Sequence, residues 1–81
     1  MGIISEKIDG TIISVEVKSS NIKSAVYDTE SKTLTVTFST NMVYEYYDVP
    51  WNIFTKFRTA PSQGKYFNTN IKTNYKFKKV E

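Results

Sequence analysis

The chain has 81 residues, 11 Lys+Arg against 8 Asp+Glu, and neither cysteine nor histidine. Disulfide staples, cysteine-zinc sites, thiol nucleophiles, Ser-His and Cys-His pairs and histidine acid/base work are therefore excluded together. A single domain of this size buries only about 60% of the surface its unfolded chain exposes, so the core must draw on six tyrosines, five phenylalanines and one tryptophan.

Ile13, Val15 and Val17 alternate with Ser14, Glu16 and Lys18, a period of two that predicts a half-buried strand. Ile3, Ile4 and Ile8 ahead of it either pack or trail, and residues 1–16 are expected to form an N-terminal extension with one added strand. After the polar break Ser19-Ser20-Asn21, Ile22 to Tyr27 is a second strand candidate, and Asp28-Thr29-Glu30-Ser31 supplies turn residues. In Lys32 to Phe38, Leu34, Val36 and Phe38 alternate with threonines, the clearest strand signal in the chain. Ser39-Thr40-Asn41 turns into Met42 to Tyr47, which puts Met42, Tyr44 and Tyr46 on one face. These segments predict an antiparallel meander with short polar turns.

At Val49-Pro50 the period changes. Pro50, Ile53, Phe54 and Phe57 recur at helical spacing, so a helix over residues 50–59 is expected, with Asp48 facing its positive end. Trp51 falls off that stripe and is either a lid on the core edge or a partner contact. Ala60-Pro61 ends the helix, and Ser62 is placed to cap a second one near residues 63–72 that turns Phe67 and Ile71 inward. The tail 74–80 reads as a final strand or an extended basic arm. The predicted fold class is α+β: a small antiparallel β-meander of three to five strands packed against one or two short helices.

Charge is unevenly divided. Residues 1–48 carry seven acids against four lysines, whereas residues 49–81 carry seven basic residues against Glu81 alone, a net −3 against +6. Such asymmetry suits a polyanion, or is a solvated lysine-rich face. No apolar run approaches the ~20 residues that span a bilayer, and Glu6 occupies the position where a myristoylation motif needs Ser or Thr. A cytoplasmic protein without membrane contact is expected.

The acids are scattered along strands and turns, with no facing pair, and no glycine-rich phosphate loop exists, so neither an enzyme nor a bound cofactor or metal is expected. The informative stretch is Ser62-Gln63-Gly64-Lys65-Tyr66-Phe67-Asn68. A Ser-x-Gly loop entering a helix either presents N–H groups to an anion or is an ordinary capped loop. Lys56, Arg58, Lys65, Lys72 and Lys76 are candidate phosphate contacts, with Ser62, Gly64, Tyr66 and Asn68 beside them. Tyr44, Tyr46 and Tyr75 are candidate stacking platforms for unpaired bases, or walls of the core.

Ser19-Ser20-Asn21-Ile22, Val26-Tyr27-Asp28, Leu34-x-Val36-x-Phe38, Tyr44-x-Tyr46, Val49-Pro50 and Ala60-x-Ser62-x-Gly64-x-Tyr66-Phe67-Asn68-x-x-Ile71-Lys72-x-x-Tyr75 together resemble the KTSC domain. That small module occurs at the C-terminus of some lysyl-tRNA synthetases and as a stand-alone protein of bacteria and their phages. The match spans residues 17–77 and makes 17–81 a KTSC-like domain. Asn41 replaces the usual turn glycine, which Asn can do because it tolerates the left-handed conformation, and Pro61 stiffens the loop before Ser62. The resemblance implies a small α+β domain with an RNA-related role and brings no active site with it.

The expected function is a non-catalytic module that binds RNA or single-stranded nucleic acid through its basic C-terminal part. The alternatives are a protein-interaction module, adaptor or inhibitor, using a sheet edge or Trp51, and a binder of a small phosphorylated nucleotide. Self-association through the exposed edges is open.

Overall fold

The structure is a computed structural model that describes residues 2–80, with side chains described from Ser5 onward. Six strands, β1 (Gly2–Asp9), β2 (Ile12–Lys18), β3 (Ile22–Asp28), β4 (Thr33–Phe38), β5 (Val43–Tyr46) and β6 (Phe77–Lys79), form one antiparallel sheet in chain order. Two helices, α1 (Trp51–Thr59) and α2 (Gln63–Tyr66), and a π-helical turn, Phe67–Ile71, cross one face between β5 and β6. The α+β class is as read from the sequence. The sheet is one strand wider than expected, because residues 2–9 pair with β2 as a strand of their own, while the tail takes the final-strand alternative and pairs with β5.

The turns carry the backbone signatures their residues allow. Gly10 (φ 63°) and Asn41 (φ 70°) take the left-handed conformation in the β1–β2 and β4–β5 connections. Between β3 and β4 the Asp28 carboxylate accepts the N–H of Glu30 at 2.9 Å, and the Lys32 N–H reaches the Asp28 carbonyl at 2.8 Å. The N–H groups of Glu30 and Ser31, both donating to the carboxylate, hold the Asp28 carboxyl below its usual value.

Alternation gives the sheet two unlike faces. The register aligns Ile13, Tyr27, Leu34, Tyr46 and Phe77 in one row and Val15, Ala25, Val36 and Tyr44 in the next. Phe54 and Phe57 of α1, and Phe67 and Ile71 of the π-helical turn, bury themselves against these rows. The opposite face presents serines, threonines and Glu45. Among the described residues no helix is long and apolar enough to cross a membrane.

Tyr27 ties the two layers together. Its ring stacks on Phe54 at 4.5 Å, and its hydroxyl, fully buried, donates to the Val49 carbonyl at 2.6 Å. Burial next to Asp28 raises the Tyr27 pKa above its usual value. Gln63 closes the end of α1: its amide donates to the carbonyls of Ala60 at 3.0 Å and Arg58 at 3.2 Å, groups that a helix C-terminus leaves without intrahelical partners.

Three local expectations change. Pro50 is the N-cap of α1 in extended conformation, not its first helical residue, and Asp48 supplies no cap; with φ 56° it bends the chain from sheet to helix. The second helix is four residues long before it widens into the π-helical turn, where the Lys72 N–H reaches the Phe67 carbonyl at 2.9 Å. Asn70 promotes that widening, since its side chain donates to the Tyr66 carbonyl at 3.3 Å and competes for an acceptor the regular helix would use. Ile8 is exposed on the outer strand, and the Ile3 and Ile4 side chains lie outside the described residues.

Candidate nucleic-acid interface

The β2–β3 loop comes down onto the start of α2. Gly64 is buried there because its missing side chain makes room for Asn21: a Cβ at this position would overlap the Asn21 carboxamide oxygen and lie 3.0 Å from Ser19 Oγ. Ser19 Oγ donates to that same Asn21 oxygen at 3.0 Å. Ser62 caps α2 as expected, its Oγ accepting the Lys65 N–H at 3.3 Å. The Ser-x-Gly motif is thus a capped, closely packed loop. What it leaves open is a polar cleft of about 420 Å³ whose walls include Ser20, Asn21, Ser62, Lys65 and Asn68.

Beyond Asn21 and Asn68 the surface changes character. A second cleft, of about 600 Å³, is lined by Phe38, Tyr44, Tyr46, Phe67 and Phe77, with Lys72 at its edge. Tyr46 and Phe67 are its buried floor, their rings meeting edge to face at 5.2 Å. Phe38 meets Tyr44 the same way at 5.7 Å. Phe77, on the short edge strand β6, is 54% exposed and tilted against Tyr44 and Tyr46 at 5.7 and 5.4 Å. Asn21 and Asn68 line both clefts, so the two adjoin at these residues. Among the described residues no Asp or Glu lines either part.

Of the residues singled out from the sequence, Ser62, Gly64, Lys65 and Asn68 meet in the polar cleft, and Lys72, Tyr44 and Tyr46 in the aromatic one. Tyr46 belongs to the core wall, and its burial beside Tyr44 raises its pKa. Tyr66 lies in an adjoining groove with Pro61 and Lys65, half-buried, its pKa raised by that burial and by Tyr75. Tyr75 packs half-buried against the core, and Lys76 lies exposed outside both clefts on the way into β6.

The basic residues of α1 do not join this group. Arg58 Nη1 lies 3.0 Å from Glu6 Oε1, and its guanidinium stands 5.4 Å from the ring centroids of both Trp51 and Phe54. It therefore fastens β1 to α1 and stands apart from the other candidate phosphate contacts. Lys56 is exposed and lines neither cleft. Asn21, Phe38 and Phe77 are cleft residues that sequence reasoning did not select. Phe77 carried a signal, since its alternation with Lys76 and Lys78 marks a strand, but its neighbours depend on pairing β6 with β5.

The profile of the KTSC domain family matches residues 18–75, from the end of β2 to just before β6. The chain is 39% identical over 59 residues to a lysine–tRNA ligase of Nostoc punctiforme, a match covering 73% of the chain and 10% of the ligase. A lysine–tRNA ligase of Trichormus variabilis is 37% identical over the same length. The chain therefore spans about a tenth of the ligases it matches. It is 32% identical over 68 residues to an uncharacterized protein of Stutzerimonas stutzeri, covering 83% of the chain and 96% of that protein. The crystal structure of a KTSC domain protein from Yersinia pestis superposes with a TM-score of 0.82 at 30% identity, covering 86% of this chain and 99% of the other.

Proposed function

The chain belongs to the KTSC domain family, and we propose that it is a non-catalytic module that binds RNA through the adjoining clefts between the β2–β3 loop, the π-helical turn and β6. The observation that carries this reading is that a lysine-bearing polar cleft adjoins an aromatic cleft at Asn21 and Asn68, with no acid lining either among the described residues. Phosphates are matched by Lys65 and Lys72, whose flexible stems hold exposed ammonium groups. Unpaired bases are matched by ring faces, which stack on any base. The similarity to proteins named as lysine–tRNA ligases supports an RNA partner.

Binding of this kind weakens with salt because each neutralised phosphate releases counterions, with a slope of about −0.7 per contact on a single strand. Titration of tRNA and of single-stranded oligonucleotides at increasing salt tests it. The variant carrying both Lys65→Glu and Lys72→Glu should lose most of the affinity and lower the slope by about 1.4. Equal affinity and slope in the variant and the parent would sink the reading.

A protein-interaction reading has one observation in its favour, the exposure of Trp51 and of Ile8 near the β1 edge. A stable complex from a pull-down that survives nuclease treatment would favour it.

A further inference from the structure

We infer that the aromatic cleft is a receptor for a single unstacked nucleobase, with the two asparagines on its rim reading that base's hydrogen-bonding edge. The inference rests on the RNA-binding reading and sharpens it into a site with a defined occupant.

Size sets the first limit. About 600 Å³ lies in the range of pockets that take small molecules, which is room enough for a base and its sugar. Shape sets the second. Phe77 packs on Tyr44 at 5.7 Å with the planes inclined at 49°, so a base would meet the exposed face of Phe77 and not a slot between the two rings. Phe77 has no fold role proportionate to its exposure: it stands on a three-residue strand at the sheet edge, more than half open to water. An exposed large apolar ring beside other rings marks a surface that something covers.

Charge identifies the occupant. The approach to the cleft carries Lys72, the adjoining cleft carries Lys65, and among the described residues neither is lined by an acid, so an occupant with an anionic group on the polar side is complementary. A nucleotide has that layout, a flat aromatic body joined to a phosphate. The rim supplies recognition. Asn70 and Asn74 donate their amides to the carbonyls of Tyr66 and Asn70. Asn21 and Asn68 both line the clefts; the Asn21 oxygen already accepts from Ser19 Oγ, so Asn68 is the carboxamide left to offer a donor and an acceptor together. A carboxamide donates and accepts side by side and matches adenine N6 and N7 in bidentate fashion. Adenine is therefore the expected preference.

The test is fluorescence-anisotropy titration of the full chain with single-stranded RNA of about eight nucleotides, as oligo-A, as oligo-U and as a backbone with its bases removed. Phe77→Ala should weaken oligo-A binding at least about fivefold with an unchanged salt slope, because it removes stacking and no charge. The base-free backbone should show the same loss with the unaltered protein, which makes the result independent of how the variant folds. Asn68→Ala should erase the margin of oligo-A over oligo-U. If Phe77→Ala and the base-free backbone bind as the parent pair does while the double lysine variant fails, the receptor is overturned and the RNA reading stands. If no oligonucleotide binds at about 50 mM salt, both fall. Adenosine monophosphate binding as tightly as oligo-A would uphold the receptor and overturn RNA in favour of a free nucleotide.

Discussion

The two ends of the helical layer use the same kinds of residue to opposite effect. At the α1 end, Trp51, Phe54, Tyr27 and Arg58 close on one another: the guanidinium covers two rings and meets Glu6, and the tyrosine hydroxyl finds a carbonyl. At the end formed by the π-helical turn, Tyr44, Phe77, Asn68 and Lys72 are also aromatic, polar and basic, yet they surround open space. Composition does not separate the two. What does is that the Arg58 guanidinium and the Tyr27 hydroxyl already have partners inside the protein, whereas the side chains of the other end line a cleft, and by that measure the first end is scaffold and the second is available for a ligand.

Variants that break this contrast should act on stability at one end and on binding at the other. The largest effect is expected for Phe54→Ala, which empties a buried site under Tyr27 and should cost about 3–5 kcal/mol, read as a fall of well over 10 °C in Tm at about 4–8 °C per kcal/mol. Tyr27→Phe should cost about 1–3 kcal/mol by leaving the buried Val49 carbonyl without its donor. It should also remove part of the alkaline limb of the stability profile. The Tyr27 pKa is raised in the folded state, so the stability it contributes is complete below the unfolded value of 10.0 and is lost as pH rises through the folded one.

Gly64→Ala reverses the pattern. The overlapping group is the end of the exposed Asn21 side chain, which can swing aside, and alanine gains about 1 kcal/mol over glycine in a helix. Melting should therefore shift little while RNA affinity falls several-fold as Asn21 leaves the rim. Arg58→Ala should lower stability by about 1 kcal/mol or less, since the ion pair is partly exposed, and leave RNA affinity at the parental value. The smallest effect is expected at Asp28. Its folded-state pKa is depressed, so its contribution is present above the unfolded value near 3.8 and is lost as pH falls through the folded one. Asp28→Asn should flatten that acid limb of a thermal-melt series.

Much of the frame was legible because it follows from local periodicity. Alternation in residues 12–18 and 32–38 placed strands, the Pro50, Ile53, Phe54 and Phe57 stripe placed α1, and Phe67 and Ile71 fell on the buried side. The candidate site was half legible. Lys65, Asn68 and Lys72 lie near one another in sequence, so motif reading found them. Asn21 and Phe77 enter from opposite ends of the chain, and only the packing of Asn21 over Gly64 and the pairing of Tyr46 with Phe77 bring them in. The pairing of Arg58 was illegible for the same reason, because Glu6 is remote in sequence and nothing local to α1 announces it. The π-helical turn was illegible because an asparagine side chain competing for a main-chain carbonyl sets its register, a detail no apolar period encodes.

The most direct test of the contrast between the two ends is a titration of the isotope-labelled protein with oligo-A, followed by amide and side-chain chemical shifts. The side-chain amides of Asn21 and Asn68 and the backbone amides of Lys65, Lys72 and Phe77 should move together, while the Trp51 indole N–H and the amides of Lys56 and Arg58 stay in place. Shifts confined to Trp51, Lys56 and Arg58, with the two asparagines unmoved, would contradict the account.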